Sequence, residues 1–525
     1  MDRRTFLVAC GGVVTGCTPL SFPTEPAMLP TLVPLKIPPG IASNGTPYDN
    51  RGRWIDGSLV RWQQKAMQPV GGWRQVGTNG GGLARHMLTW VGTGEVSWLA
   101  IGTTDNIIAF RSGGTSTTVL VGVNGPQNTT TTNGFTGGGL DKQESSAMTW
   151  HLDAFGYVLV AVPTHTGTLY QWDAAVGGNL ATPVANAPSN NAAVVVTPER
   201  HLTVLGAGGN KRRVQWASRE TLTTWTAAAT NTAGFLDLAT TGRLVCGRRG
   251  RGQTLLWTDT DLHAMNYIGG TFVYAIDRVG DNCGIIAPNA VTVVNDTALW
   301  MSERGFFAYD GYVKPIPCEV ADYVFGRLDR LQRVKIVAVP FPEFNEVWWF
   351  YPSTRADALR ENDSYVSYNY VENHWAIGNL RRTAGTPRGL FPYPLLTDTI
   401  GRLLEHENGN GYTEIAYPSD TAPDPVPYTA TPFIESGPVE LGEGDRVLSV
   451  TQIVPDERFL GSVRLRLYAK INPTDAETST PLLDVRAPTD CRITGRSVRL
   501  RIEQNIAGAW RVGIMRLRAI GRGRR

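Results

Sequence analysis

Carboxylates and histidines are the residues of this chain whose chemistry could serve acid–base catalysis or metal binding. If the stretch TDTDL is a strand, Asp259 and Asp261 lie on one face of it, which suits a cation site or a glycosidase carboxylate pair. The seven histidines include no HExxH motif and no pair at i, i+2 or i, i+4; they are His86, His151, His165, His201, His263, His374 and His406. The sequence therefore predicts no catalytic, cofactor-binding or metal-binding residues, and a protein that is not an enzyme.

One glycine-rich stretch has the composition of a phosphate-binding loop. The stretch GAGGNKRR (Gly206–Arg213) combines glycines with basic residues, but it joins two strand-like segments and lacks the following helix that would hold a phosphate. No GxSxG elbow, Walker loop or dinucleotide fingerprint occurs in the chain. We interpret GAGGNKRR as a hairpin turn.

Arginine is concentrated at the C-terminus. Ten arginines and one acidic residue, Glu503, lie between Arg492 and Arg525, although the whole chain carries a net charge of only +3. SVRLRLYAK and SVRLRIEQ alternate apolar and charged residues, which predicts an antiparallel sheet with its arginines on one outer face. Such a face could contact phosphates, an acidic neighbouring subunit or water. The candidate assembly or DNA-facing residues are Arg492, Arg496, Arg499, Arg501, Arg511, Arg516 and Arg518.

The N-terminus carries a pattern typical of export. MDRRTFLVACGGVVTGC contains two arginines, an apolar run from Phe6 to Val14 and a cysteine at position 17, as in a twin-arginine lipoprotein signal. No apolar stretch approaches the roughly 20 residues that span a bilayer. This leader supports an alternative hypothesis, an exported lipoprotein whose β-propeller binds glycan or protein at the cell envelope.

Composition and recurring hairpins predict an all-β fold. The chain contains 58 glycines, 33 prolines and many aromatic residues, which favour short strands and tight turns. Strand–turn–strand units recur every 40 to 60 residues or so, which predicts five to seven propeller blades, with a stacked β-sandwich array as the alternative. A C-terminal antiparallel β-sandwich and an extended proline-rich N-terminal segment complete the fold class. The predicted boundaries are 1–34 (extension), 35–84 (segment packing on the propeller), 85–417 (propeller), 418–432 (linker) and 433–525 (sandwich).

The stretch from Leu35 to Gln75 resembles the opening of tail nozzle or hub proteins of short-tailed bacteriophages, the packaged-DNA stabilisation family. The resemblance continues in order to Arg525, through RRVQWASRETLTTWTAAATNTAGFLDL, DNCGIIAPNAVTVVNDTALWMSERGFFAYDGYVKPIPC and WRVGIMRLRAIGRGRR. The opening motif consists of Ile37–Gly40, Asn44-Gly45, Gly52–Trp54, Asp56, Leu59–Trp62 and Pro69–Trp73.

The resemblance implies a structural protein of the virion tail, assembled in the host cytoplasm. Six copies would form a ring below a tail adaptor ring, retain the packaged DNA, pass it without sequence preference during ejection, and dock fibres, spikes or a needle. No cofactor and no membrane association as a free protein is implied. Because such a protein has no use for lipidation, the resemblance favours a retained N-terminal extension, or an upstream start, over a working signal.

Two further hypotheses come from single segments. A propeller enzyme acting on polysaccharide would need carboxylates gathered at the propeller axis, for which Asp259, Asp261 and Asp281 are the candidates. A glycine-rich gate loop is predicted within Thr129–Gly139, because long insertions in β folds often move. Its residues are Thr129, Asn133, Gly134, Phe135 and Gly137.

Overall fold

The structure is a computed structural model of the 525-residue chain. It describes residues 31–79, 82–104, 106–112, 120–123, 149–175, 181–270, 272–355, 360–416, 426–440, 447–458 and 461–521. The signal-like leader and the predicted gate loop, with Thr129, Asn133, Gly134, Phe135 and Gly137, lie outside these residues.

The first five strands connect two parts of the molecule. They are β1 (Thr31–Pro34), β2 (Trp54–Ser58), β3 (Val60–Gln63), β4 (Ala66–Pro69) and β5 (Trp73–Thr78). Strands β1 and β2 pair with C-terminal strands, β3 and β4 form a hairpin, and β5 joins a sheet of the central domain. The segment 35–84 was predicted to pack on the propeller. It also contributes strands, β2 to the C-terminal domain and β5 to the central domain.

Six consecutive antiparallel sheets of four strands follow, which we call blades A to F. Blade A is β6–β9 (Ala84–Val91, Ser97–Thr103, Ile107–Ser112, Leu120–Val123) and blade B is β10–β13 (Trp150–Phe155, Val158–Pro163, Tyr170–Trp172, Thr182–Pro183). Blade C is β14–β17 (Ala193–Val196, Leu202–Leu205, Arg213–Trp216, Gly234–Asp237) and blade D is β18–β21 (Leu244–Gly250, Gln253–Thr258, Leu262–Tyr267, Tyr274–Gly280). Blade E is β22–β25 (Val291–Val294, Thr297–Met301, Phe306–Tyr309, Val313–Ile316) and blade F is β26–β29 (Val337–Phe341, Glu346–Pro352, Asn362–Asn369, His374–Asn379).

Blade G closes the ring with strands from distant parts of the chain. It consists of β30 (Ala384–Thr386), β31 (Leu395–Thr397), β32 (Arg402–His406) and, as its fourth strand, the N-terminal β5. The first strand of each blade contacts the first strand of the next, and β30 of blade G returns to β6 of blade A. The described residues thus form a closed seven-bladed β-propeller, at the upper end of the predicted range.

Neighbouring blades pack through large aromatic side chains. Trp257 of blade D and Trp300 of blade E meet edge to face with ring centroids 5.6 Å apart, and both are fully buried. Trp98 of blade A meets Trp172 of blade B in the same way at 5.2 Å. Burying aromatic area between blades supplies the hydrophobic stabilisation that separate four-stranded sheets could not supply alone.

The C-terminal domain is a two-layer antiparallel sandwich. Its strands are β35 (Phe433–Ser436), β36 (Val439–Glu440), β37 (Leu448–Val454), β38 (Val463–Lys470), β39 (Thr478–Ser479), β40 (Leu483–Asp484), β41 (Thr489–Gly495), β42 (Ser497–Gln504) and β43 (Arg516–Gly521). One sheet has the order β1-β43-β37-β41, and the other has β2-β35-β42-β38-β39, with β36 on β42 and β40 on β38. Both ends of the chain therefore supply strands to the sandwich, and the propeller lies between them in the sequence.

Short helical elements lie within the propeller and between its blades. Helix α1 spans Ala321–Arg327, and 3-10 turns span Thr93–Glu95, Ala207–Gly209, Arg333–Lys335 and Pro342–Phe344. Strands β33 (Thr413–Ala416) and β34 (Val426–Thr429) pair with each other, so part of the predicted 418–432 linker is a strand. Gly40 adopts φ +91°, and a Cβ there would lie 2.7 Å from the Cβ of His374, so only glycine lets the N-terminal segment approach blade F this closely.

Candidate functional site

A polar network crosses the propeller axis. Arg248 of blade D donates to Asn289 Oδ1 (3.1 Å) before blade E, and Asn289 Nδ2 donates to the backbone carbonyl of Arg85 in blade A (3.2 Å). The Arg85 guanidinium binds both carboxylate oxygens of Glu361 in blade F (2.5 and 2.9 Å), and Lys335 Nζ lies 2.7 Å from the same carboxylate. Hydrogen bonds across the centre of the propeller therefore link blades A, D, E and F.

The charges of this network are buried. The side chains of Arg85, Lys335 and Glu361 are at most 5% exposed. Burial disfavours the ionised Glu361, but the two cations outweigh it and hold the pKa of this carboxyl below its usual value. A buried carboxylate between two buried cations is stable only while all three are present.

Two histidines lie beside this network on the innermost strands. His86 on β6 accepts a hydrogen bond at Nδ1 from the backbone N–H of Leu152 (3.2 Å). His151 on β10 is 1% exposed, and neither of its ring nitrogens has a hydrogen-bond partner among the described residues. Burial, reinforced by the positive charge of Arg248, lowers the pKa of His151 to about 3, so the ring is neutral at physiological pH.

A basin of about 1190 Å³ opens at one end of the axis, above His151. Blades B, C, D and E line it with the residues that precede their first strands. Its charged side chains include Arg243 paired with Asp259 (3.2 Å) and Arg333 paired with Glu303 (3.0 Å), together with Lys211. This basin, which we call the axial basin, is a concave polar site formed by several blades.

The carboxylates proposed for a polysaccharide-cleaving enzyme do not come together. Asp259 and Asp261 lie in the turn between β19 and β20, so the prediction that a strand places them on one face is wrong. Asp259 faces the axial basin, Asp261 is buried and accepts a hydrogen bond from Thr240 (2.5 Å), and Asp281 pairs with Arg278 (3.0 Å) at the surface. The tight turn directs the neighbouring Asp259 and Asp261 differently, and Asp281 follows another strand, β21, so the three carboxylates have separate partners.

The C-terminal arginines are divided between the two sheets of the sandwich, which corrects the prediction of a single basic face. Arg499 and Arg501 on β42 both bind Glu435 of β35, and they also pair with Glu477 (2.9 Å) and Glu503 (3.1 Å). Alternation correctly directs these arginines outward, but they are neutralised by Glu503 of the same strand and by Glu435 and Glu477 of other segments, which a local pattern does not reveal. The positive charges of Arg499 and Arg501 are therefore neutralised within the sheet.

The other sheet carries the arginines that remain exposed. Arg492 on β41 and Arg516 and Arg518 on β43 point outward, and no described residue forms an ion pair with them. Of the remaining candidates, Arg511 donates to Gln68 of β4 (3.2 Å) and Arg496 lies 3.4 Å from Asn472. The surface formed by Arg492, Arg516 and Arg518, which we call the open arginine face, is the part of the predicted set suited to an anionic partner.

The described residues show neither a metal-binding cluster nor a membrane-spanning helix. Within the described ranges, no group of three or more histidine, cysteine, aspartate or glutamate side chains is arranged to hold a metal ion. None of the helices in the described part of the chain has the length and hydrophobicity needed to cross a bilayer. Cys246, Cys283, Cys318 and Cys491 are free thiols.

Comparison with known proteins yields shape similarity only. No family model and no curated protein matches the chain. Solved structures with similarity include the WD40 domain of Neurospora crassa Pan2 (9% identity, covering 64% of this chain and 96% of that chain, TM-score 0.39) and the AfRom2 CNH domain (9%, 64% and 97%, TM-score 0.35). A glycoside hydrolase matches with 9% identity, 83% and 99% coverage and a TM-score of 0.25. At these values the similarities carry no information on function, and the propeller assignment rests on the strand pairing of the chain itself.

We expect acid to destabilise the fold below about pH 6.5. Burial lowers the pKa of His151 and of His406, which accepts a hydrogen bond from Arg382 Nε (2.7 Å). The unfolded chain therefore binds protons at these sites first, and the stability present above pH 6.5 is lost as the pH falls. Between pH 7.5 and 5.5 the two histidines remove about 3 kcal/mol. Urea unfolding at the two pH values measures the loss.

One carboxyl has the opposite effect on the pH dependence of stability. Burial raises the pKa of Glu457 to about 7, so its contribution to stability grows as the pH falls. Because this group is partly exposed, we discount its effect to about 1 kcal/mol, which offsets part of the loss from the buried histidines. His151→Asn should reduce the pH dependence, and Glu457→Gln should increase it. Equal unfolding midpoints at both pH values would contradict the assignment of neutral buried histidines.

Proposed function

We propose that this protein is a structural subunit of the tail nozzle of a short-tailed bacteriophage. Six copies form a ring at the distal end of the tail, below the adaptor ring, retain the packaged genome and conduct it during ejection. Fibres, spikes or a needle dock on this ring, which is assembled in the host cytoplasm and resides in the virion.

The residues that carry the family resemblance support this proposal through their structural roles. The backbone N–H of Ile41, directly after the Ile-Pro-Pro-Gly motif, donates to the carbonyl of Trp375 in blade F (2.7 Å). Arg53, within the Gly-Arg-Trp motif, binds Glu319 with two hydrogen bonds (2.9 and 2.6 Å). Trp54 and Trp62 are buried in the core cluster that spans blades D to F and the sandwich. The motif thus fixes the propeller to the sandwich, as the wall of a multidomain ring requires.

Exposed apolar side chains at the outer rim of the propeller are the structural observation that carries the proposal. The tip of the β20–β21 hairpin in blade D exposes Tyr267 (41%), Ile268 (57%) and Phe272 (77%), and the outermost strand of blade C exposes Phe235 (52%). Large apolar side chains grouped at a surface commonly mark protein–protein contacts. We infer that this rim, which we call the rim patch, contacts the next subunit of the ring.

The open arginine face supports a conduit role. Arg492, Arg516 and Arg518 present three guanidinium groups without ion-pair partners among the described residues. Arginines on a β face interact with phosphates without reading base sequence. A small number of such contacts tolerates DNA in the lumen and lets it slide during ejection.

Substitution at the rim patch tests the proposal. We expect the wild-type protein to form a six-fold ring in electron microscopy and to show a hexamer mass in solution. Ile268→Ser with Phe272→Ser should shift it to monomers, because the interface loses two apolar anchors worth about 2 kcal/mol each. Val371→Ser is the matched control, since Val371 is 59% exposed in the β28–β29 turn of blade F. A wild-type monomer, or a hexamer that the double variant leaves intact, would refute the proposed contact.

A further inference from the structure

The floor of the axial basin contains a polar side chain that the protein leaves unsatisfied. His151 is neutral, so its ring has one N–H donor and one nitrogen acceptor, and neither has a partner among the described residues. Unpaired buried polar atoms are costly, and in native proteins they often mark a site whose partner is a ligand or ordered water. His151 is 1% exposed and contributes to the lining of the basin, so its satisfaction depends on what occupies this site.

The charges around the basin favour an acidic ligand. Lys211 is exposed in the β15–β16 turn, and no described residue forms an ion pair with it. Arg243 pairs with Asp259, but its side chain is 59% exposed, which leaves it open to a second anion. With Arg333 and Glu303 included, three cations face two carboxylates, so the lining is net positive. A carboxylate or phosphate group would complete this balance.

The uncharged part of the lining favours hydroxyl groups. Asn190 and His151 offer both donors and acceptors, which suits a partner that also does both. The volume of about 1190 Å³ exceeds that of a lone ion and lies slightly above the roughly 300–1,000 Å³ of typical small-molecule sites, so it leaves room for a ligand of several sugar rings. A ligand with many hydroxyl groups and one acid group is an acidic saccharide.

We propose that the axial basin binds an anionic saccharide, with Lys211 and Arg243 contacting its acid group and His151 and Asn190 contacting its hydroxyls. The acid group can be a uronic-acid carboxylate or a sugar phosphate, because both are oxyanions of suitable size. This binding activity goes beyond the proposed wall function. It depends on one subunit only and would persist in a protein that forms no ring.

Calorimetric titration of the full-length protein with trigalacturonate and, separately, with a phosphorylated trisaccharide tests the proposal at pH 7 and low ionic strength. Binding of either compound is expected, and Lys211→Gln should weaken it about tenfold, because the variant loses a charge-assisted contact. Lys211 is exposed and unpaired among the described residues, so this substitution should leave folding and ring formation unchanged. Lys314→Gln is the matched control, since Lys314 is an exposed lysine on blade E away from the basin.

Neutral and minimal probes separate the alternatives. Maltotriose, which has the hydroxyls without the acid group, should bind at least tenfold more weakly, and inorganic phosphate, which has only the anion, should also bind more weakly. The proposal is overturned if neither acidic trisaccharide binds, if Lys211→Gln and Lys314→Gln have equal effects, or if maltotriose or phosphate binds as tightly. His151→Asn gives a second reading: with the fold intact by circular dichroism, it should weaken trigalacturonate binding and leave phosphate binding unchanged.

Discussion

Replacing Glu361 with glutamine is expected to lower the free energy of unfolding by about 3–5 kcal/mol. The change is nearly isosteric, so the loss would come from charge and not from a cavity. Glu361 is the carboxylate that pairs with both Arg85 and Lys335 in the buried network at the axis, and its removal takes away the counter-charge that these two buried cations share. Urea unfolding followed by tryptophan fluorescence measures the difference.

A surface carboxylate provides the matched control. Glu303 also has two cationic partners, Arg330 (3.2 Å) and Arg333 (3.0 Å), but its side chain is 43% exposed. Glu303→Gln should therefore cost less than about 1 kcal/mol. The triple variant Arg85→Met, Lys335→Met and Glu361→Leu should recover most of the stability, because it removes the buried charges together. Equal losses for Glu361→Gln and Glu303→Gln would show that the axial network is not electrostatically coupled.

Trp73→Ala should lower the free energy of unfolding by a similar amount and should also loosen the closure of the propeller at blade G. Trp73 begins β5, the N-terminal strand that completes blade G, and its ring stacks on His406 at 5.2 Å. Its Nε1 donates to the carbonyl of Thr413 (2.9 Å), and the Arg382 guanidinium lies 4.8 Å from the ring centre. Loss of these contacts and the resulting cavity should cost about 3–5 kcal/mol.

Proteolysis distinguishes ring opening from a general loss of packing. In Trp73→Ala, we expect a protease to cleave between β4 and β5 at native conditions, because β5 separates from β32 more often. Trp98→Ala removes a comparably buried tryptophan from blade A, within a sheet formed by consecutive strands, and should leave the β4–β5 segment protected. If the two variants are cleaved there at the same rate, β5 does not act as the closure of the propeller.

Local patterns predicted much of the fold correctly. Alternation in SVRLRIEQ predicted a strand from Ser497 to Gln504, and β42 has these bounds with Val498, Leu500 and Ile502 buried. GAGGNKRR does form the turn between β15 and β16. These features could be predicted because a strand or hairpin depends on residues within about ten positions of each other.

Features that depend on distant residues were not predicted. The partner of β5 is β32, which lies more than 300 residues later, and no local pattern indicates that pairing. The carboxylates that neutralise Arg499 and Arg501 come partly from Glu435 on another strand. One sequence feature points to the polar network at the axis. The first strands of blades A, B and D each carry basic or histidine side chains, at Arg85-His86, His151 and Arg248.

The sequence alone determined the all-β class, the repeated hairpins and the outward direction of the sandwich arginines, because side-chain alternation and turn residues act over short distances. The tertiary structure decided which of those charges remain free, which strand closes the propeller and which side chains meet at its axis. Each of these depends on the position of several blades at once. Ion pairing and burial are properties of the space between elements, and that space exists only when the ring is closed.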